Sequence, residues 1–160
     1  MNSLDSLIRL CDPPEPRIAV APRTRKPDSE SRASVLVVED HAEVAECMRC
    51  ALDQMRVYSA ICHEGETALK MAGVMHFDLI ILDILLPRMN GLEICRTIRK
   101  TPHLRAVPVM FVSCVTGLET QAEAALLGAV HFLCKPFELV EFRTQVERIL
   151  IGTSNSPVKN

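Results

Sequence analysis

The sequence has no tryptophan, one tyrosine and five phenylalanines, so any core it forms must be built from aliphatic side chains. Val, Ile and Leu gathered into short runs are the composition of strands buried on both faces, as in a parallel sheet. Long apolar runs are also missing. No stretch approaches the ~18 residues that cross a bilayer, and Leu7-Ile8-Arg9-Leu10-Cys11 is too short and too charged for a secretory leader. A cytoplasmic protein with no membrane partner is the expectation. A basic stripe is absent as well: residues 35 to 150 carry eleven basic against fifteen acidic groups, so no direct nucleic-acid partner is expected. The seven cysteines are odd in number, and most lie in apolar runs such as Val112-Ser113-Cys114-Val115, which predicts reduced, buried thiols. Cys47-Met48-Arg49-Cys50 has C-x-x-C form, yet no second pair stands at zinc spacing and no thioredoxin-like context surrounds it.

What is present fits one globular domain: 160 residues, 48% hydrophobic and 24% charged. Residues 11 to 34 hold five of the ten prolines among Ser, Arg, Asp and Glu, a composition that buries too little to order itself. Residues 1–34 are therefore expected to be a flexible Pro-rich arm, with Leu4, Leu7 and Ile8 at helical spacing in a short amphipathic turn. The ten polar residues 151–160 are expected to be a disordered tail, too short for an output domain.

From Val35 short aliphatic runs alternate with helix-period segments. Val35 to Val38 reads as a buried strand, and Val44, Met48, Ala51, Leu52 and Met55 then mark one helical face. A weaker strand at Val57 to Ile61 leads to a helix with Ala68, Leu69 and Ala72 inward. Asp78 to Ile84 is the strongest strand, and Pro87 and Gly91 break the chain before a helix at Leu92 to Lys100. Val109 to Val112, a helix at Leu118 to Leu127, a strand at Val130 to Cys134 and a helix at Glu138 to Leu150 complete five strand–helix repeats. The last helix is expected to turn Leu139, Phe142, Val146 and Ile149 inward. Such alternation predicts an α/β fold, a doubly wound five-stranded parallel sheet. All strand C-termini then share one edge, where ligands bind at the reversal of strand order.

Glu39 and Asp40 follow the first strand, Asp83 the third, Ser113 the fourth and Lys135 the fifth. Clustered carboxylates repel one another and need a cation or protons between them. Mg²⁺, with Mn²⁺ as the alternative, accepts carboxylates, a carbonyl, waters and a phosphate oxygen. With a cation present, Asp83 can attack phosphorus and form an acyl phosphate. The Lys135 ammonium and the Ser113 hydroxyl then suit the equatorial oxygens of the phosphoryl group.

Residues 35–150, with Glu39-Asp40, Asp83 in Asp-Ile-Leu-Leu-Pro-Arg-Met-Asn-Gly, Ser113, and Lys135-Pro136-Phe137, resemble the receiver domain of two-component response regulators. The resemblance implies a flavodoxin-like sheet in order 2-1-3-4-5, a phospho-acceptor at Asp83 and a metal held by Glu39, Asp40, Asp83 and the Leu85 carbonyl. It further implies a cis Lys135-Pro136 bond, switch residues Ser113 and Phe132, and an output face on the fourth helix, fifth strand and fifth helix. The expected donor is a sensor histidine kinase or a His-containing phosphotransfer protein, and the expected output is an unknown partner protein of a stand-alone receiver. Two positions depart from the commoner pattern: Glu39 is longer than Asp, and Cys114 replaces a smaller residue. The rival readings are a degenerate receiver that only binds partners, and an aspartyl-phosphate phosphatase of the haloacid dehalogenase type. The second needs an acid two residues after the nucleophile, where this chain has Leu85.

Overall fold

In the computed structural model, which describes residues 32–154, five strands alternate with five helices. They are β1 (Ser34–Val38), α1 (Ala42–Gln54), β2 (Tyr58–Cys62), α2 (Gly65–Val74), β3 (Leu79–Leu82), α3 (Gly91–Lys100), β4 (Val109–Ser113), α4 (Leu118–Leu126), β5 (His131–Cys134) and α5 (Leu139–Ser154). All pairings are parallel and the order is β2-β1-β3-β4-β5, so the predicted doubly wound sheet is the one found. Residues 1–31, including Leu4, Leu7, Ile8 and Cys11, lie outside the described residues.

Side chains alternate across a strand, and here the alternation divides the core in two. Leu36, Val38, Ile80, Leu82, Val109 and Phe111 face Ala68 and Ala72 of α2, Ile94 and Ile98 of α3 and Ala124 of α4. Val35, Val37, Leu79, Ile81, Met110 and Val112 face Met48 and Leu52 of α1 and Phe142 and Val146 of α5. The central strands β3 and β4 are buried throughout, which is why their sequences are apolar up to Ser113 at the end of β4. At ~1.5–3 kcal/mol per large apolar side chain, these two layers are the main stabilising contribution.

Turn chemistry sets the boundaries. Arg56, with φ 58°, takes the left-handed position after α1, and the Val57 N–H returns to the Leu52 carbonyl at 3.0 Å. Val57 is thereby used in the helix stop, so β2 begins one residue later than the apolar pattern predicts. Asn90 caps α3 reciprocally with Glu93, its side chain accepting the Glu93 N–H at 2.9 Å. Arg99 on α3 donates to the carbonyls of Leu127 (2.8 Å), Gly128 (3.0 Å), Val107 (2.8 Å) and Arg105 (3.2 Å), tying the end of α4 to the loop before β4. Arg96 adds an ion pair to Glu123 of α4.

Three expectations are corrected. Leu139 is exposed, while Phe137 packs against the α1 and α5 layer of the core with its ring stacked on that of Phe142, centroids 5.6 Å apart. α5 continues to Ser154, four residues past the expected helix end at Leu150, since a helix already nucleated by packing extends at little cost; residues 155–160 of the expected tail lie outside the described residues. Of the six described cysteines only Cys62 and Cys95 are buried, while Cys47, Cys50 and Cys114 are exposed and Cys134 is half-buried. Helix faces and the strand's exit, not the local apolar run, decide that exposure. No helix among the described residues is long and apolar enough to cross a membrane.

Two glycines have opposite reasons for being there. A Cβ on Gly91 would stand 2.1 Å from the Asp83 carbonyl oxygen, whereas one on Gly73 in α2 meets nothing within 4 Å. Gly91→Ala is expected to lower unfolding free energy by about 3 kcal/mol through overpacking against backbone. Gly73→Ala is expected to raise it by about 0.5–1 kcal/mol. Urea denaturation of the two variants checks both signs.

Candidate phosphoryl-transfer site

Each central site residue sits one step past a strand end, and its backbone continues the ladder. The Glu39 N–H donates to the Cys62 carbonyl at 3.0 Å, the Asp83 N–H to the Val38 carbonyl at 3.0 Å, and the Lys135 N–H to the Ser113 carbonyl at 2.9 Å. Side chains on these residues are therefore aimed by the sheet rather than by loops. Gly91 lets the turn after β3 fold back against Asp83, its N–H donating to the Ile84 carbonyl at 3.0 Å.

Lys135 Nζ donates to Glu39 Oε2 at 2.6 Å and to Asp83 Oδ2 at 2.7 Å. Glu39 is fully buried and Asp83 is 3% exposed. Burial alone would lower the Lys135 pKa, but its hydrogen bonds and attraction to Asp83 and Glu39 outweigh that, and the pKa is raised. The amine stays an ammonium. Asp83 Oδ1 accepts the Leu85 N–H at 3.0 Å, which folds the residue after the turn back onto the carboxylate. The Lys135-Pro136 peptide is cis, as the resemblance implies.

Asp40, by contrast, turns outward. Its Oδ1 lies 3.0 Å from His41 Nδ1, and Glu39 Oε1 lies 3.3 Å from the same nitrogen. Glu39, Asp40 and His41 form the one group of three or more potential metal ligands found among the described residues, with ligand atoms within 4.8 Å of one another. Asp83 stands outside that group, engaged by Lys135. His41 was not visible as a site residue in the sequence, where a histidine after an acid pair has no spacing to mark it. His63 is the other such residue: its Nδ1 lies 2.7 Å from the Glu39 carbonyl oxygen.

Ser113, the buried last residue of β4, accepts the Val115 N–H on its hydroxyl at 3.4 Å. Phe132 is half-buried in β5 with its ring 6.1 Å from that of Phe111. Leu85 is exposed beside Asp83 and Val115 is half-buried.

The model of the response regulator receiver domain matches residues 35–147. The chain belongs to the response regulator receiver family. The response regulator ArlR of Staphylococcus haemolyticus (strain JCSC1435) is 31% identical over 117 residues, which cover 73% of this chain and 52% of that protein. The receiver thus spans about half the length of this curated relative. The signal receiver domain of a signal transduction histidine kinase from Syntrophus aciditrophicus aligns with a TM-score of 0.72 and 27% identity, over 80% of this chain and 97% of that one. Chemotaxis protein CheY4 of Vibrio cholerae aligns with a TM-score of 0.71 and 26% identity, over 74% and 99%.

Receiver domains bind Mg²⁺ at their acidic pocket, and the residues here fit a hard divalent ion. Glu39 Oε1 and the part-exposed Asp40 carboxylate offer oxygen at the mouth, beside the Asp83 carboxylate and the turn that carries the Leu85 carbonyl.

Because two carboxylates are buried against one ammonium, removing that ammonium leaves uncompensated charge. Lys135→Met is expected to cost on the order of 3 kcal/mol in metal-free buffer. Adding Glu39→Gln to Lys135→Met should recover part of it, since one stranded charge is gone. Denaturant titration of the single and double variants, with chelator present, checks the order.

Proposed function

We propose that this receiver accepts a phosphoryl group on Asp83 from a phosphohistidine of a sensor kinase or phosphotransfer protein, and that the acyl phosphate alters partner binding. The observation that carries the reading is the Lys135 ammonium held 2.7 Å from Asp83 at the C-terminal edge of the sheet. An Asp83 carboxylate oxygen forms the new bond to phosphorus as the phosphorus–nitrogen bond breaks, and the imidazole that leaves recovers a proton. Glu39, Asp40, Asp83 and the Leu85 carbonyl would hold the Mg²⁺, or Mn²⁺, which when bound neutralises charge on the phosphoryl oxygens. Lys135 places a fixed positive charge beside the same oxygens without reorganisation. The Ser113 hydroxyl donates to one of them, and Phe132 responds by turning further into the core beside Phe111. The protein is then a signalling module rather than an enzyme, working in the cytoplasm.

The output face is read on α4, β5 and α5. Leu118 and Leu126 of α4, Val130 before β5, and Leu139 and Val140 of α5 are all exposed, which is an apolar surface fit for a partner protein. A phosphatase reading is disfavoured by Leu85, which offers no acid or base where the haloacid dehalogenase type needs one. A degenerate receiver is disfavoured by the presence of every acceptor group.

Incubation with Mg²⁺ and acetyl phosphate is expected to add one phosphoryl mass to the wild type and none to Asp83→Asn, with the fold intact by circular dichroism. Labelling that survives in Asp83→Asn would sink the assignment. Lys135→Ala is expected to accept phosphate yet lose the phosphorylation-dependent shift of the Phe132 resonances.

In receivers the residues two positions after the acceptor and two after the Ser/Thr flank the path of the attacking water; here they are Leu85 and Val115, and neither side chain can orient a water by hydrogen bonding. A long-lived acyl phosphate is therefore expected. After donor removal, Leu85→Asn with Val115→Glu should lose its phosphate on the order of tenfold faster than wild type. Equal decay rates would show that water access is not the control.

A further inference from the structure

His41 is the N-cap residue of α1, in an extended conformation at φ −81° and ψ 107°, and its side chain makes no cap hydrogen bond. The residues that favour this position are Asn, Asp, Ser and Thr, because their side-chain oxygens accept a helix N–H. His41 gives up that interaction. Nor does packing account for the ring, whose side chain is 70% exposed. What the imidazole does instead is bring Nδ1 to 3.0 Å from Asp40 Oδ1 and 3.3 Å from Glu39 Oε1.

Those separations have a meaning for coordination. Two ligands at right angles, each about 2.1 Å from an octahedral ion, stand about 3.0 Å apart. Glu39 is directed toward the same point because its other oxygen, Oε2, is taken by Lys135 at 2.6 Å. The main-chain N–H of His41 also donates to Glu39 Oε1 at 3.2 Å, which fixes that oxygen on the histidine side. Two oxygens and one nitrogen are thus gathered on one side of the mouth, and the nitrogen changes what the mouth prefers. Mg²⁺ takes oxygen and water, whereas imidazole suits first-row transition ions.

Resting on the reading of the acidic pocket as a metal site, we propose that His41 Nδ1 is a metal ligand alongside Asp40 and Glu39. It gives this receiver a preference for a first-row transition ion over Mg²⁺. Asp83 remains the acceptor, and the identity of the ion in the mouth depends on a residue outside the acid pair.

The test uses the full chain with Mn²⁺ as the probe. Pulsed electron paramagnetic resonance of bound Mn²⁺ is expected to show coupling to a directly ligating imidazole nitrogen, and that coupling should vanish in His41→Phe. Calorimetric titration with each metal gives a second reading, the ratio of Mn²⁺ to Mg²⁺ affinity. Loss even of a residue behind the ligands costs 10- to 100-fold in affinity, so the ratio should fall by about tenfold or more in His41→Phe. Three results overturn the proposal: Mn²⁺ bound with no nitrogen coupling in the wild type, which makes His41 only a hydrogen-bond partner of Asp40; coupling that persists in His41→Phe; or no Mn²⁺ bound at all. Labelling of Asp83 by acetyl phosphate with Mg²⁺, run in parallel, reports separately on the function reading, which stands if labelling proceeds while the coupling is missing.

Discussion

One ammonium group sets the terms for this molecule. Lys135 Nζ joins the buried carboxylates of Glu39 and Asp83, residues that lie 96 and 52 positions away along the chain. Two such charges could not share a dry edge without a cation between them. Buried ion pairs contribute little net stability compared with apolar packing, so their presence is better explained by chemistry than by folding. The consequence is a site in which a fixed positive charge and two carboxylates are already joined at the strand ends.

That assembly depends on the sheet being rigid one residue beyond its strands. The ladder bonds of Glu39, Asp83 and Lys135 hold the two carboxylates and the ammonium in register, while Gly91 leaves room for the turn after β3 to close on Asp83. The opposite condition holds for α4. It buries only Ala124, and its N-cap residue Gly117 offers no side-chain hydrogen bond. Its far end is fastened by the bonds of Arg99 to Leu127 and Gly128 and by the pair Arg96 to Glu123. The helix that follows Ser113 thus has no side-chain cap at its start and side-chain bonds to its far end.

Function at this edge also depends on what surrounds the acid pair. The longer Glu39 reaches Lys135 with one oxygen and His41 with the other, so a departure from the commoner Asp links two parts of the site. Cys114, a second departure, points to solvent rather than into the core, which explains how a larger residue is accommodated after Ser113.

Much of this was determined by local sequence. Buried aliphatic runs as short as Leu79 to Leu82 are the pattern of central strands, and the acids, hydroxyl and amine that close four of the five strands gather at one edge once all strands are parallel. Tertiary structure alone decided the rest, because it rests on contacts between distant residues. Phe137 rather than Leu139 joins the core, stacked on Phe142, and the left-handed turn at Arg56 shifted β2 by one position. Asp40 turns to His41 at 3.0 Å while Lys135 takes Asp83 and, from across the chain, Glu39. Spacing along a chain carries no record of that choice, since it is made by geometry across 96 residues.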